Sequence, residues 1–566
     1  MADGLERGVR DGGHAHATLD DAMTNPPSNL PPVLRPENPP RRALADLAAR
    51  FGVASHGALE GVEITGVTLA TADLRAGEAF VAIRGVNRHG AEFAQAAADK
   101  GAAAIVTDAE GAEIAAPTGL PIVIVDSPRG ILGDLSAWVY GNVVDEAAGP
   151  GSGIPLLLGT TGTNGKTSVT HLLDGLLTQL GVVSGLSSTA ERHIAGEVIV
   201  SRLTTPEASE FHALLALMRE RRVEAVAVEV SAQALSRHRV DGLVFDVASF
   251  TNLTHDHLDD YADMDEYFEA KLQFFRPDRA RRGVISLDSA AGADVVAKAE
   301  IPVVTIATPS IAADPAAASR ADWIVTIDDE AQTGTRFTLT GADGRTLTST
   351  VPVIGPHMAS NAGLAIVMLL EAGYAWDRIA ATLDRDGAIH AYLPGRTQRV
   401  SGDEGPAVYV DFGHTPDAFE KTLAAVRRVT PGRVLMLFGA DGDRDKTKRH
   451  DMGRTAVEGS DVVVVTDHHP RFEDPDAIRA MLLEGARSAD PAHEIHEVSP
   501  PEAAIVKAVS LVGPGDAILW AGPGHQDYRD IRGARTPYSA RELARRALRD
   551  AGWPVPDPAW PVPYDA

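Results

Sequence analysis

In the run Gly159-Thr160-Thr161-Gly162-Thr163-Asn164-Gly165-Lys166-Thr167-Ser168, glycines, a lysine and hydroxyls stand at the spacing needed to hold a phosphate. An apolar segment, 154–158, precedes it and an amphipathic one, 169–180, follows, so the order is strand, glycine-rich turn, helix. Such a turn gathers backbone N–H groups and a helix N-terminus around one point, where an anion is held without side chains. Lys166 would reach the β- and γ-phosphates of a nucleotide, and the Thr167 hydroxyl would offer Mg²⁺ an oxygen ligand. Thr160 stands where the strict phosphate-loop pattern has its first glycine.

Other groups able to do chemistry follow apolar runs in the same way. Glu229 ends Val228-Glu229-Val230-Ser231, and a carboxylate at the end of a parallel strand could complete a Mg²⁺ shell begun by Thr167. The loop Thr251-Asn252-Leu253-Thr254-His255-Asp256-His257-Leu258-Asp259 crowds potential metal ligands, although a lone loop histidine is more often solvated. Lys271, in a helical segment, reads on physical grounds as a lysine that buries its stem and keeps its ammonium in water. The stretch Gly439-Ala440-Asp441-Gly442-Asp443-Arg444-Asp445 follows a strand and reads either as a solvated charged turn or as a site over a sheet edge. His468, His469, Pro470 and Arg471 lie past another strand, where an arginine can grip a carboxylate through two parallel bonds.

The elements that must position these groups are legible as alternating apolar runs and amphipathic stretches, which predicts an α/β protein. Residues 1–40, rich in proline, are expected to form a flexible tail. A small N-terminal α/β domain is expected over 41–150, with a helix at 43–51 and strands near 67–69, 79–83, 103–107 and 122–125. A central domain, 151–393, carries the phosphate loop and buried-strand candidates at 223–230, 245–250, 284–287 and 303–306. A third domain, 394–566, has strands at 408–411, 434–438, 462–466 and 517–520, a dinucleotide-fold pattern without its glycine fingerprint.

Composition narrows the function. The 566 residues carry a formal charge of −26, which argues against a general nucleic-acid binder, and contain no cysteine, so neither disulfides nor thiolate sites exist. No apolar run is long enough to cross a bilayer and the first ten residues lack the order of a secretion signal, so a cytoplasmic protein without membrane insertion is expected. A monomer is expected.

Together these segments resemble the Mur ligases of peptidoglycan synthesis, most closely the UDP-N-acetylmuramoyl-tripeptide synthetases, from about residue 43 onward. The resemblance implies three domains: a small N-terminal UDP-sugar-binding domain, a central phosphate-loop ATPase with a mostly parallel sheet, and a Rossmann-like amino-acid-binding domain. It implies that Gly162, Thr163, Asn164, Gly165, Lys166, Thr167 and Ser168 bind ATP with Asn361, Arg396, Asp411 and His414. Leu203-Thr204-Thr205-Pro206-Glu207 is similar to the family's substrate segment, and Thr71, Thr204, Thr205, Ser231, Arg237 and Arg239 are implied to hold the UDP-sugar peptide. Glu229, His257 and Lys271 match its metal positions, the lysine carbamylated, so that Thr167, Glu229, His257 and Lys271 would ligate Mg²⁺. Arg444, His468, His469, Arg471, Gly522 and Gln526 would line the amino-acid pocket.

The implied reaction is ATP-dependent addition of the third L-amino acid to UDP-N-acetylmuramoyl-L-alanyl (or glycyl)-D-glutamate through an acyl phosphate. Rival readings are another amide ligase of the superfamily, of the folylpolyglutamate or cyanophycin synthetase type, and a catalytically idle nucleotide-binding scaffold. Departures from the family pattern concern specificity. Gly355-Pro356-His357-Met358-Ala359-Ser360-Asn361 keeps only the second of two motif asparagines, and Ala70-Thr71-Ala72 replaces the uridine-side Asp-Ser-Arg. Diaminopimelate-adding relatives carry Asp-Asn-Pro-Arg and Gly-Lys-Gly-His-Glu, where this chain has His468-His469-Pro470-Arg471 and Gly522-Pro523-Gly524-His525-Gln526. With both acidic residues gone, the expected substrate is an amino acid other than meso-diaminopimelate: homoserine, diaminobutyrate, ornithine or lysine.

Overall fold

The computed structural model describes residues 31–85, 87–143, 153–256 and 260–556. They fall into two compact units, one containing 38–141 and the other 35–37 with 142–566. Of the segment read as a tail, residues 31–40 are described; Val33 and Arg35 are buried, and Glu37 pairs with Arg221 at 2.6 Å. Asn142 belongs to the larger unit because its side-chain amide donates to His212 O at 2.8 Å and accepts from Arg219 at 2.7 Å.

The smaller unit is built on a five-stranded sheet in the order Ala54–His56, Ile122–Ile124, Ala104–Thr107, Ala79–Val81, Val67–Thr68. Its pairs are parallel except that formed by Ala54–His56. Thr71 is buried here at the start of a 3-10 turn, its carbonyl taking a bond from Lys100 Nζ at 2.6 Å.

The larger unit holds an eleven-stranded and a six-stranded sheet. In the first, Leu156–Thr161 lies between Ala225–Glu229 and Phe245–Phe250, parallel to both. These strands are mostly apolar because both faces are covered, as in parallel sheets generally, the polar exceptions being Asp246, Ser249 and the strand ends Thr160, Thr161 and Glu229. The helix Pro356–Glu371, buried over most of its surface, packs with Lys166–Gln179 into the same core. The sequence pattern missed the antiparallel ends: the hairpin Glu191–Ile194/Glu197–Val200 at one edge and Trp323–Ala331, Gly334–Gly341 and Thr346–Val351 at the other. Their alternating, half-exposed side chains lack the continuous apolar run that marks the central strands.

The six-stranded sheet runs Gln398–Arg399, Ala407–Asp411, Ala517–Ala521, Val434–Phe438, Val462–Val465, Glu494–Glu497 and is parallel apart from its first pair. Its register aligns Asp411 with Ala521, Ala521 with Phe438 and Phe438 with Val465. The loops after these strands therefore emerge along one carboxyl edge, where ligands of open α/β sheets bind.

Candidate active site

Register explains the phosphate-loop site. Glu229 pairs with Thr160, and Phe250 pairs with Thr161, so the loop 251–254 and the Glu229 carboxylate flank the turn that follows Thr161. The turn needs its glycines: Gly162 has φ 143° and Gly165 φ 91°, conformations that side chains rarely adopt. A Cβ on Gly162 would lie 1.9 Å from Thr251 Oγ1, and one on Gly165 would lie 2.9 Å from Asn361 Oδ1. Thr163 N donates to Asn252 O at 2.9 Å and Asn164 N to Asn252 Oδ1 at 2.9 Å, while Thr251 Oγ1 donates to Asn164 O at 2.6 Å. Asn252 and Thr251 thus fix the loop, a role the sequence reading did not assign within that ligand-rich stretch.

Lys166 Nζ donates to the carbonyls of Gly162 (3.0 Å) and Thr163 (2.8 Å). Burial lowers its proton affinity, against the opposing pull of Glu229 and Asp256. Thr167 and Ser168 are buried in the first helical turn, and Thr167 Oγ1 accepts a bond from Arg396 at 2.6 Å. Glu229 is fully buried and accepts from Thr189 N (2.9 Å) and Thr189 Oγ1 (2.8 Å); that hydroxyl lies 3.0 Å from Thr204 Oγ1. Thr205 Oγ1 donates to Glu229 O at 2.7 Å and accepts from Ser231 N at 3.2 Å, tying the substrate segment to this strand end. Ser231 caps the helix Ala232–Ser236, Arg239 lies 2.8 Å from Glu207, and Arg237 pairs with Asp260 at 3.0 Å.

Lys271 corrects the surface reading. It is 1% exposed, donates to Gly162 O at 2.9 Å and sits 4.1 Å above the Tyr267 ring. Burial pushes its proton affinity far down, the neighbouring Lys166 adds to this, and Asp256 opposes it. The helix Met264–Leu272 points its last turn into the molecule beneath the phosphate loop, so the lysine cannot snorkel. His257 lies outside the described residues.

The six-stranded sheet brings the remaining residues to its carboxyl edge. Arg396 lies 4.5 Å over the Phe412 ring. Asp411 accepts from Thr397 N at 2.7 Å and Gly413 N at 2.5 Å, so its carboxylate organises the backbone on both sides of it. Gly522 N and Gly524 N both donate to Asp411 O, at 3.0 and 3.1 Å. A Cβ on Gly395 would lie 2.1 Å from Gly524 C, which fixes glycine where these two segments cross. Contacts with the phosphate-loop side come from Asp417, which accepts from Asn164 Nδ2 at 3.0 Å, and from Lys448, 3.3 Å from Asp256. His414 lies 3.9 Å from Asp256.

In the adjoining pocket, His468 and His469 stack with ring centres 4.1 Å apart. His469 Nδ1 accepts from Asp530 N at 2.9 Å, so its proton is on Nε2, which donates to Gln526 Oε1 at 2.8 Å. Burial lowers the proton affinity of both rings, that of His468 to about 3, so both are neutral. Arg471 has φ 49° and is held by bonds from Arg471 N to Asp530 O (3.1 Å) and from Arg532 N to Arg471 O (2.8 Å). Its guanidinium lies 3.3 Å from Asp441 Oδ2, and His468 Nε2 lies 3.6 Å from Asp441 Oδ1. Arg444 is half-buried on the same loop as Asp441. That loop is therefore only partly a solvated turn: a Cβ on Gly442 would lie 1.9 Å from Pro470 O, so it is pressed onto the histidine segment. Asp441, His468 and His469 also form the one group of potential metal ligands among the described residues, but His469 has both nitrogens engaged and Arg471 pairs with one of the two carboxylate oxygens, Oδ2.

A glycine-rich phosphate cradle, a deeply buried lysine beneath it and a second sheet edge presenting cationic and polar groups fit an α/β protein of the nucleotide-binding class. Three family models match in succession: the Mur ligase family catalytic domain over 63–140, the Mur ligase middle domain over 160–369 and the Mur ligase glutamate ligase domain over 395–524. The chain is 56% identical to a UDP-N-acetylmuramyl-tripeptide synthetase of Leifsonia xyli subsp. xyli, covering 94% of this chain and 100% of the relative. It is 42% identical to a UDP-N-acetylmuramoyl-L-alanyl-D-glutamate--2,6-diaminopimelate ligase of Streptomyces coelicolor, covering 89% and 96% of the two chains. A solved structure of another such diaminopimelate ligase superposes with a TM-score of 0.61 at 23% identity, covering 91% of this chain and 100% of that one. The chain belongs to the Mur ligase family.

Proposed function

We propose that this protein is the UDP-N-acetylmuramoyl-tripeptide synthetase of its cell, working in the cytoplasm on UDP-N-acetylmuramoyl-L-alanyl (or glycyl)-D-glutamate, ATP and an L-amino acid. The observation that carries the reading is Lys271 buried against the phosphate loop, a costly placement for an amine, in a chain 56% identical to a named tripeptide synthetase.

ATP transfers its γ-phosphoryl group to the free D-glutamate carboxylate; the amino acid's α-amine then attacks the acyl phosphate, forming the amide and releasing phosphate. The phosphate loop and Lys166 hold the nucleotide and spread the developing charge. Lys271, whose proton affinity is lowered by burial and by Lys166, is the amine that would add CO₂ to become a carbamate. Thr167, Glu229, His257 and the carbamate form a set of hard oxygen donors plus one imidazole, which suits Mg²⁺. The ion would neutralise the repulsion between the carboxylate and the phosphates. The fully buried Glu229, whose carboxylate accepts hydrogen bonds from Thr189 among the described residues, fits that role. Arg396, Asn361, Asp411 and His414 contact the nucleotide, while Thr204, Thr205, Ser231, Arg237 and Arg239 hold the UDP-sugar peptide; a contact of Thr71 with the UDP-sugar is a separate expectation for the smaller unit. Arg444 receives the amino acid's α-carboxylate beside His468, His469, Arg471, Gly522 and Gln526.

The test is product formation from ATP and a panel of amino acids with either the UDP-sugar dipeptide or a folate acceptor. Tripeptide product with the UDP-sugar alone is expected. Glutamate addition to folate, or no ligation with either acceptor, would contradict the assignment.

A further inference from the structure

The acidic residues absent from positions 468 and 526 are not the whole charge inventory of the amino-acid pocket. Asp441 Oδ1 is buried and makes no hydrogen bond, whereas Oδ2 lies 3.3 Å from Arg471. A buried carboxylate oxygen without a donor is costly unless a ligand supplies one. The fold holds it there deliberately: Gly442 N donates to His469 O at 2.8 Å, Gly442 itself leaves no room for a side chain against Pro470, and Arg449 donates to Asp441 O at 2.8 Å.

Most neighbouring acids are committed elsewhere: Glu473 pairs with Arg449 at 3.0 Å, Asp443 accepts from Phe472 N at 3.0 Å, and Asp467 binds Arg479 and Ser499. Asp445 Oδ2 also lacks a hydrogen bond, but it lies 3.5 Å from His255 whereas Asp441 lies beside His468 and Arg471. Gln526 offers no counter-charge, and its amide oxygen already accepts from His469.

We propose that Asp441 is the amino-acid-binding residue that receives a distal ammonium, so that this site selects an L-amino acid bearing a second amine. The inference rests on the reading of the protein as a third-amino-acid ligase and deepens it. Asp441 Oδ1, facing the neutral His468 ring, accepts a charge-assisted bond from the substrate's ammonium while Arg471 continues to hold Oδ2. Homoserine, which ends in a hydroxyl, drops out of the expected substrates. The exclusion of meso-diaminopimelate, argued from the missing acids alone, also loses its basis, because a counter-charge is present on a different loop.

The experiment compares kcat/KM for lysine, ornithine, 2,4-diaminobutyrate, meso-diaminopimelate, norleucine and homoserine in the full-length enzyme and in Asp441→Asn. The best wild-type substrate should carry a distal ammonium, and Asp441→Asn should lower its kcat/KM about a hundredfold, mainly through KM. Norleucine turnover and the KM for ATP should change less than about threefold, which also shows that the variant folds. If Asp441→Asn loses all turnover, Asp441→Glu decides: a retained preference for the distal ammonium supports the inference and a flat profile overturns it. A neutral best substrate, or equal losses for charged and neutral amino acids in Asp441→Asn, would overturn it as well. Wild-type enzyme that ligates no amino acid to the UDP-sugar dipeptide would instead overturn the underlying function, and this inference with it.

Discussion

The phosphate-loop edge and the edge proposed to bind the amino acid use the same architecture, loops leaving the carboxyl ends of parallel strands, but they fill it differently. At the first, recognition is built from contiguous backbone: Gly162 to Lys166 curve around one point, fixed by Asn252 and Thr251 from the next strand. At the second, it is built from side chains on separate loops, with Asp441, His468, His469, Arg471 and Gln526 meeting only through sheet register and a hairpin. A backbone cradle suits a phosphate that must always be bound. A side-chain pocket can change its charge pattern one residue at a time, which suits a substrate that differs between relatives.

The comparison breaks most sharply at Lys166. Replacing it with alanine should cut turnover by at least about a hundredfold with circular dichroism unchanged, and Glu229→Ala should do the same, since each removes stabilisation of the transferring phosphoryl group. Near-wild-type rates in folded variants would remove the phosphate-loop edge from the chemistry. Lys271→Ala should abolish turnover and regain part of it when a short-chain carboxylic acid is supplied in place of the carbamate. Full activity without additive would show that the buried amine is structural.

At the other edge, Gly442→Ala should raise the KM for the amino acid about tenfold while leaving the KM for ATP unchanged, because its Cβ would lie 1.9 Å from Pro470 O and displace Asp441. Equal effects on both constants would mean that the edges are not separable.

The smallest effect concerns stability. Burial disfavours the charged ring of His193, but bonds to Asp174 (2.7 Å) and Glu191 (3.2 Å) outweigh it and raise its pKa to about 9. A folded pKa above the unfolded value stabilises fully below about pH 6.5 and is lost as pH rises through about 9. The melting temperature of wild type should therefore exceed that of His193→Gln at pH 6 by several degrees, and the gap should shrink by pH 9.5. A gap independent of pH would place the effect in packing alone.

How much of this was legible follows the same division. The phosphate loop could be read because its residues are adjacent and their spacing has one physical purpose; the strands beside it could be read because burial on both faces makes them mostly apolar. Asp441 could not be assigned, since within its own loop it is one charge among several, and only the register that aligns Phe438 with Val465 sets it beside His468. Lys271 was misread by local physics for a related reason: helix periodicity reports a buried face, not that the last turn ends beneath Gly162. The antiparallel edges of the large sheet escaped because half-exposed alternation is a weaker signal than a continuous apolar run.

The most direct test of the central claim follows the oxygen atoms. With UDP-N-acetylmuramoyl-dipeptide labelled by ¹⁸O in the side-chain carboxylate of its D-glutamate, turnover with ATP and the preferred amino acid should deliver one labelled oxygen to inorganic phosphate, the signature of an acyl phosphate. Phosphate that carries no label, or that takes its new oxygen from water, would contradict the account.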